Sequence, residues 1–233
     1  VTPLDDLLGS IFEDRQSPLY PEFAGWVQES RRFKAFAGQY ATKIRAKLKN
    51  VRDEGGLQDL RAELATAALL LREDRFEMEY EQYIAAKVRG PDFTITFKTH
   101  TRFNVEVRRI RTGEWSAGDP EARLHKLMTV LCDKAGQMPS SIINLLWLIP
   151  EQVLTEADLI QAITRLRGLA ERKDDGFFTR RGYAGGADFL KHYTRLSGIV
   201  LHQAGSHTLW LNPVARHKTP SDMVNAIQRL TAA

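Results

Sequence analysis

The chain holds one cysteine, Cys132, in 233 residues. That excludes an intrachain disulfide and a zinc site built from several thiolates. Long apolar runs are missing too. The longest, Ile142 to Ile149, is interrupted by Asn144 and falls far short of the ~20 residues that span a bilayer. No membrane association is expected. Asp5 and Asp6 stand near the start in place of a basic-then-apolar leader, so a secretory signal is not expected either. A reducing, cytoplasmic setting follows from these absences. There is no Gly-x-Ser-x-Gly elbow, and the glycines from Gly182 to Gly186 lack the Gly-Lys-Ser/Thr of a phosphate loop. Cys132 falls on a helix with no obvious histidine partner. The six histidines (100, 125, 192, 202, 207 and 217) show no ligand spacing, and His202 and His207, flanking a turn, are expected at the surface.

What is present is ordinary in bulk: 43% hydrophobic and 27% charged residues, in a chain long enough to bury a core without a staple. The net charge of +4 is a mild lean toward polyanions, but its distribution is uneven. From Arg31 to Arg52 there is no acid, and eight bases occur: Arg31, Arg32, Lys34, Lys43, Arg45, Lys47, Lys49 and Arg52. Across Glu29 to Val51 the apolar positions Phe33, Ala37, Tyr40, Ile44, Leu48 and Val51 recur at three and four. The spacing predicts one amphipathic helix with a basic outer face, ended by Asp53-Glu54-Gly55-Gly56. Such a face suits a nucleic-acid backbone.

A second helix is expected from Leu57 to Arg72, then a strand at Phe76 to Tyr80. Two more strands follow at 91–98 and 103–110, with a polar turn between them. A helix over Glu121–Ala135, broken by Gly136 and Pro139, leads to a buried strand, Ile142–Ile149. Further on come a helix over Thr155–Glu171, a glycine-rich polar loop from Lys173 to Gly186, and a short helix at Ala187–Leu196. The chain closes with a hairpin (Ile199–His202 and Thr208–Leu211) and a helix over Ser221–Leu230. The order predicts an α/β fold, a mixed sheet covered by helices. Trp147 and Trp210 are expected in the core, and Trp115 in a loop.

The chemistry concentrates at Gly90-Pro91-Asp92-Phe93 and Asn104-Val105-Glu106-Val107-Arg108. Residues two apart on a strand share a face, so Glu106 and Arg108 project together, and pairing of the strands brings Asp92 toward them. Carboxylates converging at the end of a sheet can hold a divalent cation. The bland alternative is an ion pair of Glu106 with Arg108 or Arg109.

This pattern resembles the PD-(D/E)xK nuclease superfamily, with its restriction-endonuclease-like fold. Asp92 matches the first acid, Glu106 the second, and Arg108 stands where the family has lysine. The resemblance covers about Leu57 to Glu151. It implies a nuclease core over 57–151, a helical region with the basic helix over 1–56, and an α+β extension over 152–233 packing on the core. It also implies a metal-dependent endonuclease acting on DNA more than RNA, using Mg²⁺ or Mn²⁺, and a homodimer such as many relatives form.

Asp92 and Glu106 would be metal ligands, with Glu63 of the preceding helix as a third. Asp92, Glu106, Glu63 and Arg108 would be the catalytic set. Arg108 keeps the charge and can grip a phosphate, but it cannot act as a base. The ammonium would then come from Lys87, Lys98 or Lys126, or the fold would have lost cleavage and kept binding to nucleic acid or a partner protein. Lys134 and Gln137 resemble polar positions near the family's site. With Arg31, Arg32, Lys34, Lys43, Arg45, Lys47, Arg109 and Arg111 they form the expected nucleic-acid surface.

Overall fold

In the computed structural model the described residues are 4–83, 90–111, 113 and 118–230. Lys87 and Trp115 lie outside them. Five helices come first: α1 (Leu4–Ile11), α2 (Tyr20–Glu29), α3 (Arg31–Gln39), α4 (Ala41–Asn50) and α5 (Glu54–Leu70). The strands β1 (Phe76–Tyr80), β2 (Phe93–Phe97) and β3 (Thr101–Ile110) follow. Then come α6 (Pro120–Gln137), β4 (Ile143–Pro150), α7 (Glu156–Glu171), α8 (Gly176–Thr179), α9 (Gly186–Tyr193), β5 (Gly198–Gln203), β6 (Ser206–Leu211) and α10 (Ser221–Gln228).

The six strands form one mixed sheet in the order β1-β2-β3-β4-β5-β6. β2 runs antiparallel to both β1 and β3, β4 runs parallel to β3 and to β5, and β6 returns antiparallel to β5. The parallel steps need crossovers: α6 supplies the first and α7 to α9 the second. β4 is buried on both faces, which explains its near-continuous apolar run. Leu145 and Trp147 enter a core shared with α1–α5 and α10. Leu146 and Leu148 enter a second core shared with α6–α9.

The single basic helix expected over Glu29–Val51 is two helices. They meet at Tyr40, whose backbone (φ −110°, ψ 17°) leaves the helical region. Its ring packs on Phe36 and Tyr80, at centroid distances of 5.1 and 5.7 Å. Asp53 does not end a helix but starts one: its Oδ1 accepts from the Gly56 N–H at 2.6 Å, an N-cap for α5. Gly136 does not break α6, which runs to Gln137. A Cβ there would meet the Tyr183 hydroxyl at 2.7 Å, and that hydroxyl donates to the Cys132 carbonyl at 2.5 Å. The glycine is a packing requirement. Within the polar loop expected from Lys173 to Gly186, α8 buries Phe177 and Phe178. His202 and His207 are half-buried rather than at the surface, with both Nδ1 atoms enclosed.

Candidate active site

The site lies where β2 and β3 part. Phe93 and Val105 form the last β2–β3 pair toward this end, while β3 continues to Ile110 against β4. Among the described residues no strand pairs with the other edge of β3 beyond Val105, and backbone donors there need other partners. Asp92 supplies one: its Oδ2 accepts from the Val107 N–H at 2.8 Å. The opening is a cavity of about 250 Å³ lined by Asp59, Glu63, Gly90, Asp92, Glu106, Val107, Arg108, Arg109, Lys134 and Gln137. A Cβ on Gly90 would strike Tyr83 at 2.5 Å, so the chain can enter Asp92 this closely only through glycine.

Alternation along β3 sends side chains to both faces. Glu106, on the α6 side, binds the Lys134 ammonium in the last turn of that helix, and Lys134 Nζ is 3.5 Å from Gln137 Oε1. Arg108 lines the same cavity. Arg109, on the α5 side and nearly buried, donates to Asp59 Oδ1 at 2.8 Å and to the Gly55 carbonyl at 2.7 Å, and it pairs with Glu151. Arg111 also pairs with Asp59. The ion pair expected between Glu106 and Arg108 or Arg109 is therefore made with Lys134, and Arg109 serves other carboxylates.

Asp59 and Glu63 stand one turn apart on α5, which puts them on the same side of the helix. Glu63 Oε1 lies 2.6 Å from the Lys47 ammonium of α4, which also lies 2.6 Å from Glu81 Oε1. Burial pushes the Glu63 carboxyl above its usual range, against the pull of Lys47. The Tyr80 hydroxyl is enclosed beside Glu63, near enough to favour its charged form yet outside full hydrogen-bonding geometry. Asp92 is raised further, first by burial and then by the charges of Glu63 and Glu106, with the Val107 N–H and Lys47 opposing. Burial works against the charge on Lys47, but Glu63 and Glu81 outweigh it and hold the ammonium protonated. The carboxylates thus share one electrostatic environment and repel one another within it.

The basic residues expected to form one outer face divide: Arg32, Lys43 and Lys47 turn inward, while Arg45 and Lys49 form an exposed pair with Glu13, and Arg31 and Arg52 face solvent. Arg32 donates to the Leu71 and Glu73 carbonyls at 2.7 and 2.5 Å and to that of Phe76. It satisfies carbonyls at and just past the end of α5, where a helix leaves acceptors unpaired. Lys43 reaches the carbonyls of Tyr80 and Glu81 at 2.7 and 3.3 Å. Arg45 and Lys49 share Glu13 Oε1 at 2.8 and 2.6 Å. The acid-free stretch is compensated by acceptors elsewhere in the chain. Arg31 is exposed and Lys34 half-buried on α3.

Of the lysines expected to replace the motif ammonium, Lys98 sits at the far end of β2 from Asp92, roughly 20 Å along the strand. There it pairs with Asp222 at 2.7 Å. Lys126 is on α6, two turns before Lys134. Lys134 is the one beside Glu106. Glu81 was not anticipated from the sequence: it belongs to no motif and directly follows the strand expected at Phe76 to Tyr80. Among the described residues, no three His, Cys, Asp or Glu side chains are grouped closely enough to hold a metal ion as they stand, and no helix is long and apolar enough to cross a membrane. No family model, curated protein or solved structure matches the chain.

Proposed function

We propose that the protein is a metal-dependent phosphodiesterase, an endonuclease acting on nucleic acid and on DNA before RNA, with a restriction-endonuclease-like core over residues 57–151. The observation that carries this reading is the meeting of Asp92 and Glu106 in one cleft with an ammonium group, Lys134. The order from α5 through three antiparallel strands, α6 and a parallel strand agrees with it.

The donor set suits a hard divalent cation. Buried carboxylates that raise one another's proton affinity are relieved by Mg²⁺ or Mn²⁺, which take oxygen ligands. Asp92 and Glu106 would hold the ion, with Glu63 behind them. When bound, the ion supplies positive charge for the phosphoryl oxygens and lowers the pKa of water. The Val107 N–H fixes the Asp92 carboxylate in place. Lys134 orients Glu106 and brings an ammonium to the cleft. Arg108 is then a phosphate grip with two parallel donors.

The test is cleavage of plasmid and oligonucleotide DNA with Mg²⁺ or Mn²⁺ by wild type, Glu106→Ala and Arg108→Lys. Wild type is expected to cut and Glu106→Ala to be inert. Cutting by Arg108→Lys alone would mean a site that arginine has disarmed. A second reading, an inactive nuclease fold that binds nucleic acid or a partner protein, has one observation in its favour: Lys134 already neutralises Glu106. Salt-sensitive, metal-independent nucleic-acid binding by an inert wild type would establish it.

A further inference from the structure

We propose that Lys47 is a resident cation of this site, positioning Glu63 and Glu81 and limiting the site to one divalent ion on the Asp92–Glu106 side. The inference rests on the nuclease reading and names how that site is charged. Lys47 comes from α4, outside the core, yet its ammonium is 2.6 Å from both Glu63 and Glu81. All three side chains are largely buried, at 28%, 12% and 13% exposure. The ammonium also lies 4.9 Å from the centre of the Tyr80 ring, a favourable place for a cation.

Its surroundings hold it there. Lys43, one turn earlier on α4, binds the Tyr80 and Glu81 carbonyls. Glu81 adopts φ 50°, a left-handed conformation that a glutamate seldom takes and that persists only when neighbours enforce it. The Glu81 N–H donates to the Asp92 carbonyl at 2.7 Å. A continuous run of bonds therefore links α4, the end of β1 and the residue that leads β2.

Occupancy decides what the cleft can accept. The Lys47 ammonium already lies 2.6 Å from a carboxylate oxygen of both Glu63 and Glu81, the position a second cation bridging that pair would need. Asp92, whose Oδ2 accepts from the Val107 N–H, and Glu106 remain on the other side of the cleft. Lys47 stands between Glu63 and Glu81, the pair that would otherwise take a second ion.

The test is titration of the whole chain with Mn²⁺ by calorimetry at neutral pH, without substrate. Wild type is expected to bind one ion per chain. Lys47→Gln, shown to be folded by circular dichroism, is expected to bind two, a change in stoichiometry that a merely structural lysine would not produce. Two ions in wild type, or one in folded Lys47→Gln, overturns the assignment. If Lys47→Gln does not fold, the electron paramagnetic resonance of saturated wild type decides: isolated Mn²⁺ supports the assignment and a spin-coupled pair overturns it. No binding by wild type removes this inference and the nuclease reading together. Two ions in a wild type that still cuts DNA removes this inference alone.

Discussion

The two halves of β3 are built on opposite rules. Phe103 to Val105 is paired on both sides, to β2 and to β4. Phe103 and Val105 are fully buried there, and the polar residue between them, Asn104, is closed into a neutral network. It accepts from Thr94 Oγ1 at 2.8 Å and donates to Asn144 Oδ1 at 2.9 Å. Asn144 Nδ2 lies within 3.0 Å of the carbonyls of Pro139, Ile142 and Arg195. Glu106 to Ile110 is, among the described residues, paired with β4 only and carries Glu106, Arg108 and Arg109. The first half spends its polar groups on amides of neighbouring strands, and the second spends them on charges at an opening. The neutral ladder Thr94–Asn104–Asn144 sets the register, and a slip of one residue would send Glu106 to the other face. The closed half therefore determines where the open half places its carboxylates.

The largest effect is expected from breaking the closed half. Asn144→Ala leaves Asn104 and three carbonyls short of a donor or acceptor. It is expected to cost on the order of 3 kcal/mol, roughly 6–12 °C in Tm for a chain of this size. Cleavage should fall with it, because the register of the cleft is loosened. Thermal unfolding measures the cost, and a loss below about 1 kcal/mol would show that the amides do not hold the sheet in register.

Next comes a comparison within the open half. Lys134→Met is expected to lower the cleavage rate about a hundredfold or more, the scale of a lost charge-stabilising donor in a closed site. Arg108→Lys is expected to change it by about tenfold or less, since a phosphate contact is altered but not removed. Single-turnover rates on one oligonucleotide settle the order. If Arg108→Lys gives the larger change, Arg108 holds the place of the motif lysine and Lys134 is an ion-pair partner for Glu106.

The closed half was the more legible in sequence. The strands expected at 76–80, 91–98, 103–110 and 142–149 overlap β1 to β4 with ends shifted by two residues or fewer. They follow from alternation or from an apolar run broken only by Asn144, and the helix between β3 and β4 follows from its apolar spacing. Local pattern suffices where local pattern is the cause. The open half depends on partners far apart in sequence. Lys134 meets Glu106 across 28 residues, and Lys43 meets Tyr80 across 37. No spacing rule reports that Arg32 will satisfy the carbonyls at the end of α5, so a basic run read as one outer face proves to be split between inward contacts and the surface. Tyr40 likewise fits a helical stripe, and only its contacts with Phe36 and Tyr80 explain why the helix breaks there.

The smallest effect concerns Asp92, and it separates the halves by sign. Removing a polar partner from the closed half destabilises the fold, whereas removing a charge from the open half should stabilise it when no metal is bound. The Asp92 carboxyl is raised by burial and by Glu63 and Glu106, so the folded chain holds its proton more tightly than the unfolded chain. Stability is then lost as pH rises from the ordinary aspartate range through the raised folded value, and stays at the lower level above it. Asp92→Asn keeps an oxygen for the Val107 N–H and removes the titration. In chelator its Tm should exceed that of wild type by a few degrees at neutral pH, and the gap should shrink as the pH is lowered toward about 4. Glu63, raised in the same direction, keeps some slope in the variant. Mg²⁺ should reverse the ranking, because only wild type gains from binding it. An Asp92→Asn protein less stable than wild type in chelator at neutral pH would mean that the carboxylate is a net structural asset, and that the open half obeys the same rule as the closed one.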